Sequence, residues 1–248
     1  MKPASVVTLF LCWLCAATAS YADAGARRYA ALSLIGETMS VVAYVGDTGA
    51  QLSQNRHESV SLGSQLFDTT ALGAVQQSLK ARDPRKPVAL FLGTSPTLFT
   101  AQAKLFDGPR VVLPQDLGAA MKKEGATHLF LITRHRGATA IQGYNGTFGS
   151  GTLEGVGYYI DNDLRTGVHR EGGTARGFLA PFVYLRISLV DLETSMIERE
   201  QFVTWSTMLS AVRSESGNPR DVLAGKRLQY LLDALAREVS RAVPALVP

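Results

Sequence analysis

Four histidines, His57, His128, His135 and His169, are the side chains best suited to move a proton or hold a metal near neutral pH. None stands in a His-Glu-x-x-His pattern or another metal-ligand spacing, so no metal site is expected from them. His128 lies inside an apolar run and reads as a hydrogen-bonded core residue. His135 sits between Arg134 and Arg136 at a strand end and reads as a solvated edge.

Asp161-Asn162-Asp163 resembles the opening of a calcium loop. The glycine that should follow is displaced to Gly167 and no glutamate closes the pattern, so the triplet reads as an Asx-rich turn. Gly149-Ser150-Gly151 with Gly155 lacks the Lys-Ser/Thr pair and the following helix of a phosphate loop. Gly93-Thr94-Ser95-Pro96 is no nucleophile elbow, because proline blocks that turn. Asn145-Gly146-Thr147 fits a glycosylation sequon but reads as a plain turn. No cofactor motif is present, and no cofactor is expected. Two binding features remain. Tyr144, Phe148, Tyr158, Tyr159 and Phe178 lie in and beside a glycine-rich stretch, which suits an adaptable interaction surface. Alternatively, Asp161, Asp163 and His169 converge on a small-ligand or hydrolytic site.

The elements that would position these residues are short. Residues 28–35 and 39–45 read as two strands joined by a tight turn at Gly36-Glu37-Thr38, followed by a polar strand around 57–62. Asp68 is expected to cap a helix running through Arg82, with Leu72, Val75 and Leu79 on one face. Val88–Leu92 reads as a buried strand, and Pro96–Phe106 as helical. Pro114 is placed at the first position of a helix bearing Leu117, Ala120 and Met121, which Gly125 ends. His128–Thr133 is apolar on both faces, as a central strand should be.

Residues 143–177 hold ten of the chain's 23 glycines, so regular helix is excluded there. A glycine-rich loop or hairpin with one strand near Val156–Ile160 is expected. Val183, Leu185, Ile187 and Leu189 then alternate with Tyr184, Arg186 and Ser188. A turn over Asp191–Ser195 returns the chain along Ile197–Trp205. The last helix is expected to begin at Asn218 and Pro219, with Val222, Leu228, Leu231, Leu232, Leu235 and Val239 as its apolar stripe. Strands and helices mix without strict alternation. The expected class is α+β, a largely antiparallel or mixed sheet with helices packed on it and an amphipathic C-terminal helix.

The N-terminus bounds the compartment. Lys2, the apolar run Val6–Ala17 and Ala22-Asp23-Ala24 form a secretory signal peptide over residues 1–24. Residues 25–248 then form one α+β domain. Cys12 and Cys15 fall in the removed segment, so the mature chain has no thiol chemistry and suits an oxidising periplasm. The formal net charge is +4 and no basic run exceeds three residues, so nucleic acid is not expected as a partner. No later segment is apolar enough to be a transmembrane helix.

Residues 183–200, VYLRISLVDLETSMIERE, resemble the hairpin of CsgG-like and TolB amino-terminal-like envelope proteins. Leu185, Arg186, Val190, Asp191 and Thr194 match its pattern, and Ser195 stands where the family has glycine. KKEGATHLFLIT at 122–133 is similar to that family's helix end and central strand, with Thr127 in place of an aspartate. RYAALSLI resembles the opening strand. The resemblance implies a periplasmic, non-catalytic fold used in envelope assembly. It transfers no active site, and the lipidated cysteine of the secretion channels is missing. The expected function is an exported interaction module that binds another envelope protein.

Overall fold

The computed structural model describes residues 27–45, 55–85, 87–143, 146–168, 174–209 and 226–248, with backbone alone for 163–168 and 174–176. In chain order these are β1 (Tyr29–Ser33), β2 (Thr38–Ala43), β3 (Arg56–Ser61), α1 (Leu66–Arg82), β4 (Val88–Leu92) and α2 (Pro96–Thr100). A 3-10 turn over Gln102–Leu105 leads to β5 (Phe106–Asp107), β6 (Arg110–Val111), α3 (Gln115–Lys123), β7 (His128–Arg134) and β8 (Arg136–Ala138). Then come β9 (Ile141–Gly143), β10 (Gly146–Phe148), β11 (Thr152–Val168), β12 (Thr174–Asp191), β13 (Ile197–Ser206) and α4 (Arg227–Leu246). The segment read as a signal peptide lies outside the described residues, as do Asn218, Pro219 and Val222.

Nine of these strands form one mixed sheet, mostly antiparallel, with the helices packed on it, which is the α+β architecture. The long strand β12 organises it. Phe182–Tyr184 pair with both β11 and β13, and Leu185–Val190 pair with both β7 and β13. A strand has two flanks. β13 therefore holds one flank of β12, while β11 and β7 share the other end to end. From there the sheet forks: β7 is followed by parallel β1 and β4, and β11 by parallel β2 and antiparallel β3.

The fork corrects the reading of residues 28–45. Both strands exist, but β1 pairs with β7 and β4 while β2 pairs with β11 and β3, so the link between them crosses from one branch to the other. Val88–Leu92 is likewise a strand at an edge. Val88 is buried, but Leu90 and Leu92 are 41% and 45% exposed. Of the loop or hairpin expected in the glycine-rich stretch, the hairpin is found: β11 and β12 pair antiparallel on either side of 169–173, and both run longer than the single short strand expected near Val156–Ile160. Gly157 permits this: a Cβ there would stand 1.8 Å from the Ser40 carbonyl oxygen, so only glycine lets β11 approach β2 this closely.

One face of the sheet packs Phe67, Ala71, Val75 and Leu79 of α1 and Leu231, Leu235 and Val239 of α4 against Phe130, Ile132, Val183, Leu185 and Ile187. The expected inward positions of β12 and the expected docking of the last helix are both found there. The opposite face is covered in two parts. Leu105, Val111 and Met121 lie with Ala30, Leu32, Leu129 and Leu131, and Ile141 and Leu153 lie with Val42, Tyr159, Phe178 and Tyr184. Pro114 occupies the position just before α3, and of its expected apolar residues Met121 is buried while Ala120 is exposed. Among the described residues no helix is long and apolar enough to cross a membrane.

Candidate binding cleft at the carboxyl ends of the parallel strands

β4, β1 and β7 run parallel, so Leu92, Ser33 and Arg134 end at one rim of the sheet. In sheets with parallel strands the crevice beyond such ends is the usual place for a ligand. A cleft of about 400 Å³ lies there. It is lined by Ile35, Gly36, Glu37 and Thr38 from the β1–β2 link, Gln65 before α1, Thr94 and Pro96 after β4, Phe99 and Thr100, and Arg134.

Asp68 anchors one wall. It does not cap α1, whose preceding residue is Gln65, but sits in the first turn. Its Oδ1 accepts from the Ser33 hydroxyl at 2.6 Å and the Ile35 N–H at 2.8 Å, and its Oδ2 accepts from the Gly36 N–H at 3.0 Å. Burial pushes this carboxyl above its ordinary range, and the three hydrogen bonds and the Arg134 charge pull the other way. Gly36 has φ +87, in the left-handed region that favours glycine, and packs beside the Phe99 ring.

Two glutamines brace the other walls. Gln65 donates through Nε2 to the Gly93 carbonyl at 2.8 Å. Gln102 donates through Nε2 to the Leu34 carbonyl at 2.6 Å and accepts on Oε1 from the Arg134 N–H at 2.9 Å. Arg134 extends into the space they frame. Its Nη2 donates to the Phe99 carbonyl, and its stem passes over Gly155, where a Cβ would stand 3.0 Å from Arg134 Cδ. Its Nε is buried and has no hydrogen-bond partner among the described residues. The cleft is thus lined by the guanidinium-bearing Arg134, by the hydroxyl-bearing Thr38, Thr94 and Thr100, and by one acidic residue, Glu37. An incoming carboxylate finds charge and a directional donor there.

The residues singled out in the sequence lie elsewhere. Tyr158, Tyr159 and Phe178 are buried, Phe148 is half-buried, and Tyr144 lies outside the described residues. Tyr158 faces α4 and donates its hydroxyl to the Arg227 carbonyl at 2.7 Å. Tyr159 faces the opposite side, where it stacks on Phe178 at 5.9 Å and accepts from the Ser150 N–H at 3.3 Å. These aromatics are core on two faces of the sheet, not one exposed surface, because the strands around them are paired and covered. Asp161 is buried on β11, and the side chains of Asp163 and His169 lie outside the described residues.

His57 is exposed on β3, and the His135 ring lies 4.7 Å from Phe202. Burial lowers the affinity of His135 for its proton, and Arg186 lowers it further. His128 is buried beside Asp191 and Glu198, the one group of three or more metal-capable side chains gathered among the described residues. Sequence reading did not single out Arg134 as a residue of a cleft. Its position at the end of an apolar central strand was the available signal.

No family model matches the chain, and no curated protein matches it. Several solved structures are similar at low identity. The PelC dodecamer from Paraburkholderia phytofirmans is 10% identical, covering 88% of this chain and 86% of that one, with a TM-score of 0.34. A neuraminyllactose-binding hemagglutinin homolog from Helicobacter pylori is 9% identical over 86% of this chain and 81% of that one, with a TM-score of 0.35. The hypothetical protein CT253 from Chlamydia trachomatis is 12% identical over 89% of this chain and 99% of that one, with a TM-score of 0.34. Likenesses at this level assign neither a site nor an activity.

Proposed function

We propose that this chain is an exported, non-catalytic binding module of the bacterial cell envelope, and that the cleft receives an acidic group of another envelope protein. The observation that carries this reading is the Arg134 guanidinium among the residues that line the cleft, beside the hydroxyl-bearing Thr38, Thr94 and Thr100. A carboxylate in the cleft would meet that side chain's positive charge, and a guanidinium pairs with a carboxylate through charge-assisted hydrogen bonds. Export is supported by Lys2, the apolar run after it and the Ala22-Asp23-Ala24 site.

The test is a photo-crosslinker at Thr94 in the exported chain, with and without Arg134→Gln. A defined envelope protein should crosslink through an acidic segment to the parent chain and be lost with the variant. Equal crosslinking by the variant, or none by either, overturns the reading. Intact mass of the envelope-fraction protein should start at Gly25 within a few residues, and a full-length cytoplasmic product overturns export. The size of the cleft also favours a second reading, a binder of small carboxylates. Calorimetric titration with free carboxylates separates the two, since a docking site for protein segments should give little heat.

A further inference from the structure

Strand pairing brings three distant residues together at the far end of β7. His128 opens β7, Asp191 closes β12 directly opposite it, and Glu198 follows at the start of β13. One ligand atom from each lies within 4.8 Å of the others. His128 is 7% exposed, and its Nε2 stands 3.5 Å from Glu198 Oε1.

Each of the three side chains is also held by a neighbour. Thr127 Oγ1 accepts from the Arg28 N–H at 3.0 Å and donates to the Arg28 carbonyl at 3.2 Å. His128 Nδ1 lies 2.8 Å from Thr127 Oγ1, a contact in which either atom can donate. In the tautomer with the proton on Nδ1, Nε2 carries the free lone pair. Asp191 Oδ1 accepts from the Glu193 N–H at 2.7 Å and the Thr194 N–H at 2.9 Å, which fixes the carboxylate. Glu198 accepts from Arg27 on both oxygens, Oε2 from Nη1 and Oε1 from Nη2 at a longer 3.5 Å. Such outer contacts orient the ligands of metal sites.

We propose that His128, Asp191 and Glu198 form a binding site for a divalent transition metal, Zn²⁺ foremost, through Nε2 and one oxygen of each carboxylate. Ligands at about 2.0–2.1 Å from a tetrahedral zinc stand roughly 3.3–3.4 Å apart. The 3.5 Å between Nε2 and Oε1 is close to that edge. One imidazole and two carboxylates suit zinc better than magnesium or calcium, which prefer oxygen alone. Three protein ligands leave a fourth position open to water or to a partner's side chain. The metal would take Oε1 from the long Arg27 Nη2 contact, while Arg27 Nη1 stays on Oε2 and offsets part of the carboxylate's charge.

The test is calorimetric titration of the metal-stripped mature chain with Zn²⁺, with Mg²⁺ as control, and the visible spectrum after Co²⁺ addition. Expected are one Zn²⁺ per chain at micromolar affinity or better, no Mg²⁺ binding and the intense absorption of tetrahedral Co²⁺. Glu198→Gln, a partly exposed position whose change should not disturb folding, should weaken Zn²⁺ at least tenfold, as should His128→Gln. Arg134→Gln should leave Zn²⁺ binding unchanged, which separates this site from the cleft. Absence of stoichiometric Zn²⁺ binding, or binding that survives Glu198→Gln, overturns the proposal and leaves a plain histidine–carboxylate pair.

Discussion

The hydroxyl of Ser33 donates to the Asp68 carboxylate across 2.6 Å, and so ties the end of β1 to the first turn of α1 although the two residues are 35 positions apart. Both side chains are buried, so water cannot replace either partner. Ser33→Ala should cost about 1–3 kcal/mol in urea unfolding, the usual cost of a buried hydrogen bond to a charged group. Asp68→Asn should cost more, because its amide would turn a donor toward the Gly36 N–H.

The same pair makes a pH prediction. The folded chain raises the affinity of Asp68 for its proton, chiefly through burial. The native state therefore holds that proton more tightly than the unfolded chain does. Its contribution to stability is greatest below the ordinary carboxylate pKa and is lost as pH rises through the raised native value. The penalty of Asp68→Asn should accordingly shrink as pH rises across that window. A penalty that grows with pH would show that the hydrogen bonds outweigh burial.

Tyr158 and Phe178 are core residues, and their truncation should act on stability. Each to alanine should cost about 3–5 kcal/mol in chemical denaturation, as large aromatic deletions do in packed interiors. Half-buried Phe148 should cost less. A Tyr158→Ala chain that unfolds with an unchanged midpoint would contradict its burial.

Gly157→Ala should abolish folding or lower stability by more than about 4 kcal/mol, because the added Cβ would collide with the Ser40 carbonyl oxygen and part β2 from β11. Gly73→Ala in α1 is the control. A Cβ there meets nothing within 4 Å, and alanine should stabilise the helix by about 0.5–1 kcal/mol. Circular dichroism melts of the two variants check both signs.

Leu231 and Leu235 of α4 are fully buried against the sheet. Leu231→Ala and Leu235→Ala should each cost about 2–5 kcal/mol. Removal of residues 227–248 should give an insoluble or unfolded product, since it uncovers Val183, Leu185 and Ile187. A soluble truncated chain with an unchanged melting temperature would show that the helix is dispensable to the core.

Ser195 has φ +62 in the turn between β12 and β13, the one left-handed non-glycine residue among those described. Ser195→Gly should raise stability by up to about 1 kcal/mol, the strain relieved less the added freedom of the unfolded chain. A thermal melt reads the sign directly.

The sequence by itself determined what depends on local periodicity. Alternation from Val183 to Leu189 identified the inward face of β12, because a strand turns successive side chains to opposite faces. The stripe of Leu231, Leu235 and Val239 identified the docked face of α4, and the apolar run after Thr127 identified a central strand, for the same reason. Tertiary structure alone decided pairing and convergence. Residues 28–45 hold two strands whose local sequence says nothing of the fork that separates them. The glycines of β11 left loop and hairpin both open because propensity registers a missing side chain, while the close approach of Ser40 that makes Gly157 necessary comes from residues over a hundred positions away. Arg134, Gln65 and Thr94 meet at one rim, and His128, Asp191 and Glu198 at another place in the sheet, only because parallel and antiparallel pairings bring distant segments into register. Such contacts are set by long-range packing, which leaves no fixed spacing in the chain to read.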